Sequence, residues 1–251
     1  MNWRGCNTLF VKEVRRFYSV ILQTVGAPVV TALLYMVVFG QVLQGQTIQG
    51  VPSSAFLVPG LMMMSIIQNS FANTSSSITQ SKIMGNLVFL LMTPLSAFEI
   101  YLAYIGASLL RATLVAIVLY AVTAFFVDVP IHNPLLVLVM LLLSGGTLAV
   151  LGMIAGIVAN KFDHLAAFQN FFIMPLSFLS GVFYSIHSLP EFWQKASHFN
   201  PVFYMIDGFR QGFFGVGDSN PTISVIVAAC VFTLVSALCV TMLSRGYKIR
   251  G

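Results

Sequence analysis

Residues 134 to 159 read PLLVLVMLLLSGGTLAVLGMIAGIVA, 26 positions without a charged side chain. At about 1.5 Å per residue a helix of that length covers about 39 Å, more than the roughly 30 Å hydrocarbon core of a bilayer. Backbone polar groups find no water in that core, so a crossing segment is either a helix or a strand of a closed barrel. Barrel strands are short and alternate apolar with polar residues, whereas this run is continuously apolar. It is a membrane-spanning helix.

Similar runs lie on both sides of it, near residues 20–40, 55–75, 98–127, 165–186 and 221–243, which makes the quoted stretch the fourth of six predicted spans. Composition agrees. The 251 residues are 58% apolar and 8% charged, against about half and about a quarter in an ordinary soluble domain. The expected fold is an all-α membrane protein with six transmembrane helices.

Lys and Arg collect in cytoplasmic loops, so their distribution sets the orientation. Arg4, Lys12, Arg15 and Arg16 precede the first span, Lys82 follows the second, Lys161 follows the fourth, and Arg245, Lys248 and Arg250 end the chain. Lys195 and Arg210 lie on the opposite side, nine against two, which predicts both termini in the cytoplasm. The net charge of +5 is spread over four membrane-proximal sites and not gathered on one face, so nucleic acid is not an expected partner and anionic lipid is. The first apolar run is span-length and no small-residue cleavage site follows it, so it is expected to be retained. Cys6, Cys230 and Cys239 have no metal-ligand spacing.

Three segments have helical character without the length to cross. In the first, Trp3, Cys6, Phe10, Val14, Phe17 and Ile21 share one stripe and Arg4, Thr8, Lys12, Arg15 and Arg16 point away, as in a helix lying in the cytoplasmic interface. In the second, residues 81–99, Ile83, Leu87, Leu90 and Leu91 share a face and Pro94 stops the helix at Thr93. An apolar face on the cytoplasmic side needs a cover of lipid, the bundle or a partner protein. In the third, residues 187–220, Ser188-Leu-Pro-Glu191 has the form of a capping box and predicts a helix from Leu189 to Ala196. Asn200-Pro201 begins another, with Val202, Met205, Ile206, Phe209 and Phe213 on one stripe, Asp207 and Arg210 off it, and Gly212, Gly215 and Gly217 at its end. Both are expected to be short external re-entrant helices between spans five and six.

The chain contains no G-x-x-x-x-G-K-S/T loop to cradle a nucleotide's phosphates, so it is not expected to hydrolyse ATP, and no catalytic residue is predicted. His132, His164, His187 and His198 are scattered over separate loops and predict no metal. Arg111 is the one charge deep in a span, where it costs roughly 2.5 to 3.5 kcal/mol to insert and marks a pathway or a subunit contact, unless it pairs with carbonyls or snorkels.

Two stretches resemble the membrane subunits of type-2 ATP-binding-cassette (ABC) exporters, the ABC-2 type permease family. KIMGNLVFLLMTPLSAFEI (82–100) is similar to that family's cytoplasmic segment, and FLSGVFYSIHSLPEFWQKASHFNPVFYMIDGFRQGFFG (178–215) to its C-terminal signature. The resemblance implies one ABC transmembrane type-2 domain over residues 1–251. Its parts would be the interfacial helix (1–19), spans one and two (20–75), a coupling segment (76–97), spans three to five (98–186), external helices (187–220), span six (221–243) and a cytoplasmic tail (244–251). It also implies a dimer in a bacterial inner membrane, driven by a separate ATPase that carries the ATP and Mg. Lys82, Gly85, Leu87, Leu90, Leu91 and Pro94 would form the coupling helix that meets this ATPase. Gly181, Ser188, Pro190, Glu191, Asn200 and Pro201 would belong to an external gate. Where the family shows acidic residues in the coupling segment, this chain has Asn86 and Val88. The alternative classes are an ion-coupled secondary transporter or channel, which would ignore an ATPase, and a membrane-embedded enzyme, which needs a clustered polar site.

Overall fold

The computed structural model describes residues 2–42 and 45–248. Helix α1 (Trp3–Tyr18) leads through a π-helical turn at Leu22–Gly26 into α2 (Ala27–Val42), and a two-residue-per-strand hairpin, β1 (Thr47–Ile48) and β2 (Val51–Pro52), connects it to α3 (Ser53–Ile83). The short α4 (Asn86–Met92) precedes α5 (Ala97–Thr123) and α6 (Pro134–Val158). Then come α7 (Phe162–Phe168), a π turn at Gln169–Ile173, α8 (Met174–Phe178), a 3-10 turn at Ile186–Ser188, α9 (Glu191–His198), α10 (Pro201–Phe214) and α11 (Pro221–Arg245).

Among the described residues five helical segments are long and apolar enough to cross a membrane: Leu22–Val42, Ser53–Ile83, Ala97–Thr123, Pro134–Val158 and Pro221–Arg245. The span predicted at 165–186 differs. Its helix runs from Phe162 through the π turn and ends at Phe178, about 26 Å of rise. Beyond it the backbone turns irregularly, with Gly181 in the left-handed region at φ +71°. Irregular backbone at membrane depth is tolerated only when protein covers it, and Ser180, Val182, Phe183 and Ser185 are all buried.

The long α3 is the central post. It packs most closely on α6, where a Cβ added at Gly152 would stand 2.4 Å from the Phe71 carbonyl oxygen and one at Gly156 would stand 2.9 Å from Ile78 Cβ. Between those contacts the Thr74 hydroxyl donates to the Ala149 carbonyl at 2.6 Å. Small residues at helix contacts let backbones approach and gain dispersion and polar contacts where lipid supplies no hydrophobic drive. The core has two parts. One gathers Leu57, Met63, Phe71, Val182, Ile206 and Phe209, and the other, nearer α1 and α4, gathers Cys6, Leu9, Leu87, Tyr104 and Met153.

Three local expectations change. First, α1 buries Cys6, Leu9, Glu13 and Phe17 against the bundle and leaves Trp3 64% exposed, so its inward face holds a carboxylate and not the full predicted stripe. Second, the Ser188–Glu191 box does not form: the Ser188 hydroxyl donates to the Ser185 carbonyl at 2.7 Å, and α9 starts at Glu191 after Pro190, without a side-chain cap. Ser185, two positions before His187, offers its hydroxyl to that turn instead. Third, Asp207 and Arg210 are buried along with the apolar stripe of α10. A capping box does occur at Ser96–Glu99, where α5 begins.

Candidate functional site

The cytoplasmic segment is built by two turns. Gly85 at φ +74° reverses the chain after α3, a conformation that costs other residues a Cβ clash. Extended Thr93 ends α4 just before Pro94. Lys82 is anchored across the end of α6, its ammonium donating to the carbonyls of Ile157 (3.0 Å) and Ala159 (3.2 Å) and to Asn160 Oδ1 (2.9 Å). It satisfies carbonyls that the helix terminus leaves open, at the dipole end that favours a cation.

Within α4, Leu87 is buried and Leu90 packs on the same core cluster. The Leu91 side chain lies outside the described residues. The outward side carries Val88, Phe89 and Met92, the last two 70% and 78% exposed, and is continued by exposed Met84 at the end of α3. Between α1, α3 and α4 lies a cleft of about 540 Å³ whose walls include Lys12, Arg16, Ser77, Met84 and Phe89.

A polar column rises from that cleft along α3. Glu13, fully buried, accepts from Lys12 (2.9 Å), Arg16 Nε (3.1 Å) and the Ser77 hydroxyl (2.7 Å). Arg16 Nη2 also donates to Asn73 Oδ1 at 2.9 Å and to the Asn73 carbonyl at 2.7 Å. Arg111 donates to the same Asn73 oxygen at 3.3 Å and to Asn69 Oδ1 at 2.9 Å. Its partners are side-chain amides, not backbone carbonyls.

On the predicted outer side, Asn200 joins two elements: its amide donates to the Leu176 carbonyl and the Ser180 hydroxyl, both at 2.7 Å, and its oxygen caps Val202 at 3.0 Å. Pro201 takes the first helical position, as expected. Arg210, 1% exposed, lies 3.8 Å above the Phe56 ring centroid and donates to the Gly181 carbonyl at 2.5 Å. Asp207 accepts from the amides of Asp218 and Ser219, both at 2.9 Å, and from Gln211 at 2.6 Å. Asp218 in turn accepts from Ser185, Gln49 and the Ile186 amide. These carboxylates and Arg210 tie together the hairpin, the turn after α8 and the α10–α11 loop. Glu191, by contrast, makes an exposed pair with Lys195 at 3.4 Å.

The sequence singles out Asn200, Pro201 and Arg111 as candidates, but it does not mark Glu13, Asp207, Arg210 and Asp218 as the centres of buried hydrogen-bond networks. The available signal was charge inside apolar pattern, as in MIDGFRQGFFG (205–215).

Residues 4–214 match the family described as ABC-2 type transporter. The chain belongs to that family. Along 99% of its length this ABC-2 chain is 36% identical to the inner membrane transport permease YadH of Escherichia coli, covering 98% of that protein. It is 28% identical to nodulation protein J of Sinorhizobium fredii over 85% of this chain and 81% of the relative. Over 62% of its length it is 24% identical to the probable multidrug ABC transporter permease YbhR of E. coli, covering 43% of that protein. The ABC-2 match reaches through α10 and so includes both α4 and the Arg210 contact.

Proposed function

We propose that this ABC-2 chain is the membrane permease of an ATP-driven exporter in a bacterial inner membrane, with both termini in the cytoplasm. Two copies line the pathway, and a separate ATPase subunit supplies ATP and Mg chemistry from the cytoplasmic side. The segment from Lys82 to Pro94 is its coupling element. The observation that carries this reading is the outward apolar side of α4, where Val88, Phe89 and Met92, with Met84 from the end of α3, stand uncovered among the described residues beside a cleft containing Lys12 and Arg16. Lipid can cover an apolar face, but a cleft that also presents cations fits a protein surface with both apolar and acidic groups.

Lys82 then has a mechanical part, because it fastens the end of α3 to the end of α6 next to the docking face. On the outer side, α9, α10 and the turn around Gly181 form the gate, closed through Asn200 and Arg210. Closure of the paired ATPases would rock these bodies between two arrangements. Mild extraction followed by identification of copurifying chains tests the reading. A stoichiometric nucleotide-binding subunit whose hydrolysis rises in the complex is expected. Its reproducible absence, with transport driven by an ion gradient, would instead establish a secondary transporter.

A further inference from the structure

Between Ala55 and Gln80 the only positions that α3 leaves partly open are Ser65, Gln68, Ala72, Ser76 and Gln80. Their spacing of three or four places them on one helical face, and none is a large apolar residue. The open positions of α2, by comparison, include Val30, Leu34, Val37 and Val38, and those of α11 include Ile223, Ile226, Leu234 and Leu238. Lipid accepts the latter faces at no cost. A polar face in the bilayer interior belongs instead to an aqueous or ligand-filled space.

The Arg16–Asn73–Arg111 cluster stands against this face with an imbalance of charge and of hydrogen bonds. One amide oxygen, Asn73 Oδ1, accepts from two guanidinium groups. Glu13 is the only carboxylate bonded to the cluster among the described residues, and Lys12, Arg16 and Ser77 already occupy it. Three cations therefore share one anion. Three nitrogen donors, Arg111 Nε, Asn73 Nδ2 and Gln68 Nε2, are buried without a partner among the described residues, and Asn73 as a whole is only 1% exposed. Surplus donors beside surplus positive charge match an oxygen-rich anion, which guanidinium forks bind well. A groove of about 170 Å³ between α2 and α3, bounded by Tyr35, Ser65, Gln68 and Asn69, reaches the cluster at Asn69, which accepts from Arg111, and at the unpartnered Gln68 amide.

We propose that this cluster receives the phosphate-type anionic group of an amphipathic cargo, whose uncharged remainder lies along the α2–α3 groove. The assignment rests on the proposed transport function and names the chemistry of what is carried. It requires no covalent step. Arg111 and Arg16 bind the anion, while Asn73 holds the two guanidinium groups side by side.

The test uses the full chain purified in a neutral detergent, with its melting temperature followed against three probes. Dioctanoyl phosphatidylglycerol is expected to stabilise it saturably, and dioctanoylglycerol, which lacks the phosphate, is not. Arg111→Gln is expected to weaken the apparent affinity about tenfold, the scale of one lost charge-assisted bond, and Arg111→Lys to restore part of it. Should Arg111→Gln fail to fold, Asn73→Asp serves in its place, since a carboxylate there satisfies both arginines and is expected to abolish binding. Equal affinities in wild type and variants, or equal stabilisation by the uncharged diacylglycerol, would overturn the proposal. Saturation by inorganic phosphate alone in the same concentration range would overturn the cargo assignment in favour of a free-anion site. Because no ATPase takes part in this binding, its outcome is independent of whether a nucleotide-binding subunit copurifies.

Discussion

Arg210 and Lys195 are both basic and both on the predicted outer side, yet they carry opposite energetic weight. Arg210 is sealed against Phe56 and holds the Gly181 carbonyl where the chain leaves regular helix. Arg210→Met would strand that buried acceptor at about 1–3 kcal/mol and forfeit a cation–π contact of about 2 kcal/mol. A marked drop in the melting temperature followed by fluorescence-detected size exclusion is the expected result. Lys195, paired with Glu191 at 3.4 Å while both are exposed, is expected to change stability by less than about 1 kcal/mol when replaced by Ala. A similar loss in the two variants would show that the buried Arg210 contacts stabilise the fold no more than an exposed ion pair does. The difference between the two residues is not legible in sequence. Asn200-Pro201 could be read because a cap and its amide are two residues apart, whereas Arg210 finds its acceptor 29 positions away. Ser188 shows the converse, since its local pattern suited a capping box and the neighbouring Ser185 carbonyl took its hydroxyl.

For helices, what decides the outcome is which face meets which neighbour. The α3–α6 pair has no slack at Gly152, so Gly152→Val is expected to separate the two helices and cost at least about 1–3 kcal/mol. Gly40→Val, with nothing among the described residues within 4 Å of its added Cβ, is expected to be neutral in the same melting assay. Periodicity found α4 but not its orientation, because Leu87, Val88, Phe89, Leu90 and Met92 make a short helix apolar nearly all round. Packing on the inner core cluster selects Leu87 and Leu90 for burial and turns Phe89 outward. The two sides therefore predict different failures. Phe89→Asp is expected to leave the folded yield intact and abolish stimulation of the partner's ATP hydrolysis, while Leu87→Asp is expected to lower the folded yield itself. Normal stimulation in Phe89→Asp would exclude that face as the docking surface. In α1, Glu13 escaped notice for a related reason: its partners Arg16 and Lys12 are local, but the Ser77 that completes its burial comes from α3.

At the scale of the whole molecule, continuous apolar runs identified the five described helical segments that are long and apolar enough to cross, because a bilayer constrains length and composition directly. The segment at 165–186 was less legible since its last third is held by side chains of α10 and its N-cap, not by its own helical bonds. Orientation rests on charge, and impermeant thiol labelling checks it. After the native cysteines are replaced, Gln194→Cys is expected to react from outside intact cells and Lys161→Cys only after the membrane is opened. The reverse pattern would invert the topology. The Lys82 anchor has a consequence for force transmission. With 31 residues, α3 is a rod of about 46 Å, and a tilt of about 5° at its inner end sweeps the outer end through about 4 Å. A flexible joint at residue 82 would dissipate such a stroke in the loop. By clamping α3 to the terminus of α6, the lysine would, in the proposed exporter, make the two helices a single lever whose far arm meets Val182 at Gly60.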